Sequence, residues 1–462
     1  MNPSSRLKQQ ASITDLPSEL LLIIFKIVHS FVPSAERSRH YYGWRSKRRF
    51  ITLDFPYNLS SVSRTWQEVM SLEPEFWTRL IVYVDVQWQP ASLQEQLEWS
   101  KNLPFELILT KKNPDDHLEH PLEQRHTYSS VATLMPHMHR CTSFSILSVQ
   151  SSSTLPSIAT DFTHPANNLR MLRLECQTDD SKKSFANSIT DAPDLLSCSQ
   201  LTQLFIDGEN LLSLCLHTPK WLYGVTHLSV AHYNKASRGT EFSMTEFLST
   251  ISEMVELTHL AIEDVDFGYF GRAVKTRLPD LQVLELVSQS NIDMLFDRID
   301  TYDILNHSTL EELNIRNCHL KCPSNSSPLH TAQVLRLENV DCLGASKREI
   351  AKYMGLWGGS VVQIDRCPIV NDIVWMIGQR GLGNFNWYNL FDFNILNCPG
   401  LSISTLRQTI TKRNKEYVRS GSRYDAITQL RLSGDVPALS PEDVEFFAKH
   451  VECFEWADSK RN

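Results

Sequence analysis

One pattern, leucine-x-x-leucine-x-leucine, returns along most of this chain in a single phase. It limits the fold to an architecture that grows by repetition. Leu169-x-x-Leu172-x-Leu174 reappears around Leu204, Leu228, Leu260, Leu284, Leu313 and Leu430, with Val or Ile at some of the outer positions. Weaker copies centre on Leu335, Val362 and Phe393, and fainter ones begin at Leu107-x-Leu109 and Phe144-x-Ile146. The central residues lie 22 to 37 residues apart, so the array is irregular. Unrelated amphipathic strands would not hold one phase over ten copies. Each copy predicts a short strand whose apolar residues point inward. A single unit cannot bury them, so neighbours must stack into a parallel sheet with helical or irregular backs.

Two back helices are legible between strands. Met244 to Ile251 has helical apolar spacing after Ser243, an N-cap residue type. Ser440-Pro441 opens another, with Val444, Phe447, Ala448 and Val451 on one face, and this helix at 441–451 is expected to cap the stack. Cys318, Cys367 and Cys398 each follow a strand pattern by three residues, where a stacked repeat takes an inward-turning Asn or Cys. The polar stretch 322–328 reads as a loop between units.

Strand side chains alternate. If Leu284 and Leu286 point inward, Val283, Glu285 and Val287 point outward. The same rule exposes Arg173, Phe205, His227, His259, Asn314, Arg316, Arg336 and Glu338 along one face. These nine polar and aromatic residues, Glu285 included, are the candidate surface for binding a protein substrate. Their mixed charge suits a protein or peptide better than nucleic acid, whose backbone calls for a continuous basic stripe.

The first 80 residues follow another pattern. After a polar tail at 1–12, Leu16-Pro17 opens a helix in which eight of the nine residues from Leu20 to Val28 are apolar. Such a helix needs cover on every side. The second helical pattern, Leu59, Val62, Trp66, Val69 and Met70, is a single stripe and cannot supply it alone. The module should therefore expose apolar surface unless a partner covers it. Between the two patterns, residues 30–50 hold six basic residues and one acidic one. This insert reads as a solvated loop; a nuclear-import signal or an arm for an anionic partner would have the same composition.

Three ordered blocks here resemble an F-box. They are Leu16-Pro17-x-Glu19-Leu20-x-x-x-Ile24-Phe25, Leu59-x-x-Val62-Ser63-Arg64-Thr65-Trp66 and Glu75-Phe76-Trp77-x-x-Leu80. The tryptophan after Pro74-Glu75 is similar to fungal F-box proteins. The later repeats resemble the leucine-rich-repeat domains that often follow an F-box. The two resemblances imply an α/β protein: a small helical F-box module at 13–80, with a basic insert at about 29–58, then an irregular leucine-rich-repeat solenoid with a parallel sheet over 81–462. They imply a non-catalytic receptor subunit of a Skp–cullin–F-box ubiquitin ligase, cytoplasmic or nuclear. In that reading Leu16, Pro17, Leu20, Ile24, Phe25, Val62, Ser63, Trp66 and Trp77 lie at or just behind the surface that meets the Skp adaptor, and through it a cullin. Family F-boxes join their first two helices by a shorter link than residues 29–58, which leaves the adaptor-facing geometry open. Without the ligase, the same repeats would make an interaction scaffold.

Signals for enzyme chemistry are weak. The chain has no Gly-x-x-x-x-Gly-Lys-Ser/Thr, no Gly-x-Ser-x-Gly and no His-Glu-x-x-His. Gly378-x-x-Gly381-x-Gly383 reads as a turn, and His137-x-His139 as a surface pair. Cys318-His319-x-x-Cys322 with His330 has metal-ligand residue types, but Cys318 already has a place in the repeat. No metal, cofactor or catalytic residue is expected. A net charge of −8 argues against general nucleic-acid or acidic-membrane binding, and no apolar run approaches the ~20 residues needed to span a bilayer. The N-terminus has no secretory pattern. The ten cysteines, with no Cys-x-x-Cys, read as reduced and mostly buried thiols.

Overall fold

The computed structural model describes residues 16–31, 55–87, 90–112, 121–158, 160–180, 198–217, 220–233, 243–267, 276–289, 292–296, 298–300, 310–320, 332–342, 357–379, 387–420 and 426–458. The polar tail, most of the basic insert, the 322–328 loop and His330 lie outside them. The chain opens with helices α1 (Ser18–Ser30), α2 (Tyr57–Ser60) and α3 (Arg64–Ser71). Then come β1 (Arg79–Tyr83), α4 (Pro90–Trp99), β2 (Phe105–Thr110), α5 (Glu123–Leu134), β3 (Cys141–Ser151), β4 (Met171–Thr178), β5 (Gln203–Asp207) and α6 (Gly208–His217). The second half holds β6 (His227–Tyr233), α7 (Met244–Ser252), β7 (His259–Val265), β8 (Val283–Val287), β9 (Glu312–Arg316), β10 (Val334–Glu338), β11 (Val361–Asp365) and α8 (Val370–Ile377). It ends with β12 (Asp392–Leu396), α9 (Ile403–Ser420), β13 (Gln429–Gly434), α10 (Pro441–His450) and β14 (Cys453–Asp458).

These 14 strands form one open sheet, every neighbouring pair parallel, in strict chain order. All ten expected strand centres, from Leu172 to Leu430, fall in β4 to β13, and the two fainter copies lie in β2 and β3. Two strands of this sheet were not expected, nor was a separate two-stranded parallel ladder of Thr276–Arg277 with Ile299–Asp300. β1 forms within the third N-terminal block, and β14 follows the helix that was expected to cap the stack. Ala448 of that helix is exposed, while Phe447 and Val451 are buried.

Register explains the phase of the sequence. Leu284 pairs with Leu260 and Leu313, and Leu286 with Ile262 and Ile315. Inward residues thus stack on their own kind, and Leu260, Leu284, Leu313 and Cys318 are all fully buried. Each such side chain contributes about 1.5–3 kcal/mol relative to exposure.

A second regularity closes each unit. A residue at the end of the strand, or just after it, adopts the left-handed conformation at His232, Asp264, Ser288, Asn317, Asn339, Arg366 and Asn397, with φ between 47° and 57°, and at Gly434 with φ 72°. Asn, Asp and His tolerate this region best among residues bearing a Cβ, which fits five of these eight positions. At every one of these positions except Gly434 the next side chain enters the core. There the Cys318 sulfur accepts the Gln289 N–H at 3.3 Å, and the Cys367 sulfur accepts the Val340 N–H at 3.4 Å. Each cysteine thereby satisfies a backbone donor of the unit before it. Burial pushes the Cys318 thiol up to about 11 and the Cys367 thiol up to about 12, so both remain protonated.

The helical module joins this stack directly. Phe25 packs edge-on against Trp66 at 5.0 Å, and Trp77 lies against Trp99 of α4 at 4.5 Å. The Tyr57 hydroxyl accepts the Ile81 N–H at 2.9 Å and donates to Gln96 at 2.8 Å, occupying part of the β1 edge. A single apolar core runs from Leu21 to Val451. Among the described residues, no helix is long and apolar enough to cross a membrane.

Leu284→Ala should destabilise the protein by about 2–5 kcal/mol, read as a lowered denaturation midpoint, because it opens a cavity in a core position with no surface to relax into.

Candidate functional site

Two surfaces stand out. The first is on α1. Leu21 and Phe25 face the core, while Leu20, Ile23, Ile24, Ile27 and Phe31 point outward. Their spacing follows i, i+3, i+4, i+7 and i+11, so they form one apolar stripe. Ile23 and Ile27 are 54% exposed and Phe31 73% exposed, with exposed Val62 in the same module. Lys26, between Phe25 and Ile27 in sequence, reaches Glu73 at 2.6 Å. Stable monomers rarely leave such a contiguous stripe uncovered.

The nine residues expected near this surface divide into two groups. Pro17, Leu20, Ile24 and Val62 are exposed, and Leu16 and Ser63 are half-buried. Ser63 caps α3 by accepting the Trp66 N–H at 3.2 Å. Phe25, Trp66 and Trp77 are core residues, because α1 packs on α3 and Trp77 packs on α4. Conversely, Ile23, Ile27 and Phe31 were not singled out from sequence. In a helix apolar on all sides, phase picks them out only once the burial of Leu21 and Phe25 fixes the opposite stripe.

The second surface is the outward face of the sheet. It changes along the stack. Arg173 and Phe205, expected to be exposed, are 6% and 4% exposed. The Arg173 guanidinium lies over the Phe205 ring at 4.7 Å and binds Glu175 at 2.6 Å, so these side chains lie flat across neighbouring strands and cover one another. Glu285 is 6% exposed because it is ion-paired to Arg316 one strand away, and Val287 is buried as well. His227, His259, Asn314, Arg316 and Glu338 are half-buried, and Arg336 is exposed. Arg173 therefore does not belong to an accessible site.

The accessible part is a depression of about 400 Å³ over β7 to β11, lined among others by His259, Glu285, Glu312, Asn314, Arg316, Arg336, Glu338 and Asp365. Its charges are paired across strands: Arg316 with Glu285, Arg336 with Glu312, and Arg366 with Glu338. Beside it, the His227 and His259 rings stack at 4.2 Å, and the Thr226 and Thr258 hydroxyls hold their Nδ1 atoms at 2.7 and 2.8 Å. Burial, then the neighbouring His259, lowers the His227 pKa to about 4, and burial lowers that of His259.

The described residues bring no three His, Cys, Asp or Glu side chains together as a metal site. Cys318 is engaged in the core, and His319 pairs instead with Asp341. His137 is half-buried beside Arg140, whereas His139 is exposed. No protein-family model matches the chain, and no curated protein matches it.

The stacked histidines give a signed pH dependence. A His227 pKa of about 4 in the folded protein, against 6.5 unfolded, means that the unfolded chain binds more protons between those values. Stability from this site is intact above pH 6.5 and declines as pH falls toward 4. The melting temperature should drop on acidification through that window, and His227→Phe, which keeps the stack without the titrating group, should reduce the drop. An equal drop in the variant would contradict the assignment.

Proposed function

We propose that this protein is the substrate-recognition subunit of a Skp–cullin–F-box ubiquitin ligase. One observation carries the reading: the α1 stripe of Leu20, Ile23, Ile24, Ile27 and Phe31 stands uncovered in the module whose three sequence blocks resemble an F-box. A helical adaptor surface covering that stripe would remove it from water. The open sheet supports the other half of the reading. Parallel strands stacked in chain order give the broad, rigid face expected of a leucine-rich-repeat substrate domain. In this role the protein does no covalent chemistry. It raises the effective concentration of a substrate lysine at an enzyme held by the cullin.

Co-expression with a Skp adaptor tests the proposal. The full chain should co-purify with the adaptor as a stable complex. The double change Ile23→Asp and Ile27→Asp should weaken capture by roughly 10–100-fold, while the melting temperature stays unchanged because both positions are exposed. Phe25→Ala should act in the opposite sense, lowering stability by about 3–5 kcal/mol through the core. A folded full chain that binds no Skp adaptor would overturn the ligase reading.

A further inference from the structure

The outward face of β6 to β11 has a chemistry more specific than a generic protein-binding face. At one end, Ala261 and the stacked His227 and His259 rings make a shallow apolar shoulder, backed by the buried Phe205. Both imidazoles have lowered pKa values, so the shoulder is uncharged near neutral pH. It shares His259, Val283 and Glu285 with the larger depression, so the two are continuous.

The depression is acidic on balance. Glu285, Glu312, Glu338 and Asp365 line it against Arg316 and Arg336. Arg366 reaches Glu338 and approaches Asp365 at 3.6 Å, and even so the acids remain in excess. Arg316 and Arg336 each face a glutamate of their own, whereas Glu338 and Asp365 share the single Arg366, so the surplus charge of the depression is negative. Three buried polar atoms of the lining have no hydrogen-bond partner: Glu285 Oε1, which is ion-paired to Arg316 instead, Asn314 Oδ1, an acceptor, and Arg316 Nε, a donor. Buried polar groups in folded proteins are normally satisfied. An acceptor and a donor two residues apart on β9 leave a place for one N–H and one C=O, from different peptide units, of a bound chain.

We propose that this face binds an extended, cationic peptide segment of a partner protein, with a large apolar side chain resting on the His227–His259 shoulder and a lysine or arginine set among Glu312, Glu338 and Asp365. The identity of the peptide's owner as a ligase substrate rests on the receptor reading above; the chemistry of the groove does not. The shoulder at β6 and β7 lies about three strands from the acids of β9 and β10. At about 4.8 Å per strand that is roughly 14 Å, which an extended chain spans in about four residues. The peptide therefore carries its apolar residue and its cation about four positions apart.

The test is a display selection of random short peptides on the immobilised full chain, without adaptor. The expected result is a consensus of one large apolar residue with Lys or Arg about four residues away. Ala261→Trp, which fills the half-exposed shoulder, should weaken a consensus peptide at least tenfold. Glu312→Lys with Glu338→Lys should do the same, and Glu312→Gln with Glu338→Gln, which preserves shape, should weaken it in the same direction should the lysine pair not fold. No consensus, an acidic or phosphopeptide-type consensus, or a consensus peptide indifferent to the folded variants would overturn the inference. Adaptor capture measured on the same preparation separates the two readings. Capture without a peptide consensus removes the peptide site alone, and a consensus without capture removes the ligase reading alone.

Discussion

The in-register parallel ladder is the constraint on which the rest of the molecule depends. Each strand contributes inward apolar side chains that neither it nor its own back segment can bury alone, so the neighbouring strands and the helices behind them must cover them. The left-handed residue at the end of each of β6 to β12 then turns the next side chain inward, and at Asn317 and Arg366 the following cysteine satisfies a backbone donor of the preceding unit. An array built this way has two edges, and an uncovered edge invites pairing with another chain. At β1, Tyr57 and the helical module occupy the edge. At β14, the exposed outward Glu455 pairs with Arg431 and sets a charge on that strand.

Because the helical module shares the core of the sheet, the α1 stripe is held at a fixed place relative to the sheet face. On the proposed reading this matters mechanically. A receptor that hangs its substrate from a rigid scaffold converts two binding events into a set distance between substrate and enzyme, and a loose tether would dilute that advantage. The change in the outward face along the stack adds a division of labour. In β4 and β5 the outward side chains pack on one another, as Arg173 does on Phe205, whereas from β7 onward they leave a depression.

Much of the fold was legible because the strand period and the repeat phase agree at Leu172, Leu204, Leu260, Leu284 and Leu313, each with its partner two residues on. β1 was hidden because Leu80 reads equally well as the last apolar position of a helical block. β14 has no leading leucine, and Phe454 and Trp456 are only half-buried at the open edge. The outward face was half legible. Alternation names which residues point away from the core, but not whether a long neighbour will lie across them, which is what buries Arg173, Phe205 and Glu285. For α1, composition gave the exposed apolar surface, but not which of its residues lie behind that surface: Phe25 and Trp66 do, because their rings hold α1 on α3.

On the proposed reading, the α1 stripe is the adaptor-binding surface of a substrate receptor. Hydrogen–deuterium exchange of the full chain, with and without a Skp adaptor, tests it most directly. The account predicts strong new protection over residues 18–31 and 57–63, with the strands of β7 to β11 unchanged. Absence of any complex, or protection that falls on the sheet face while α1 exchanges as before, would contradict it.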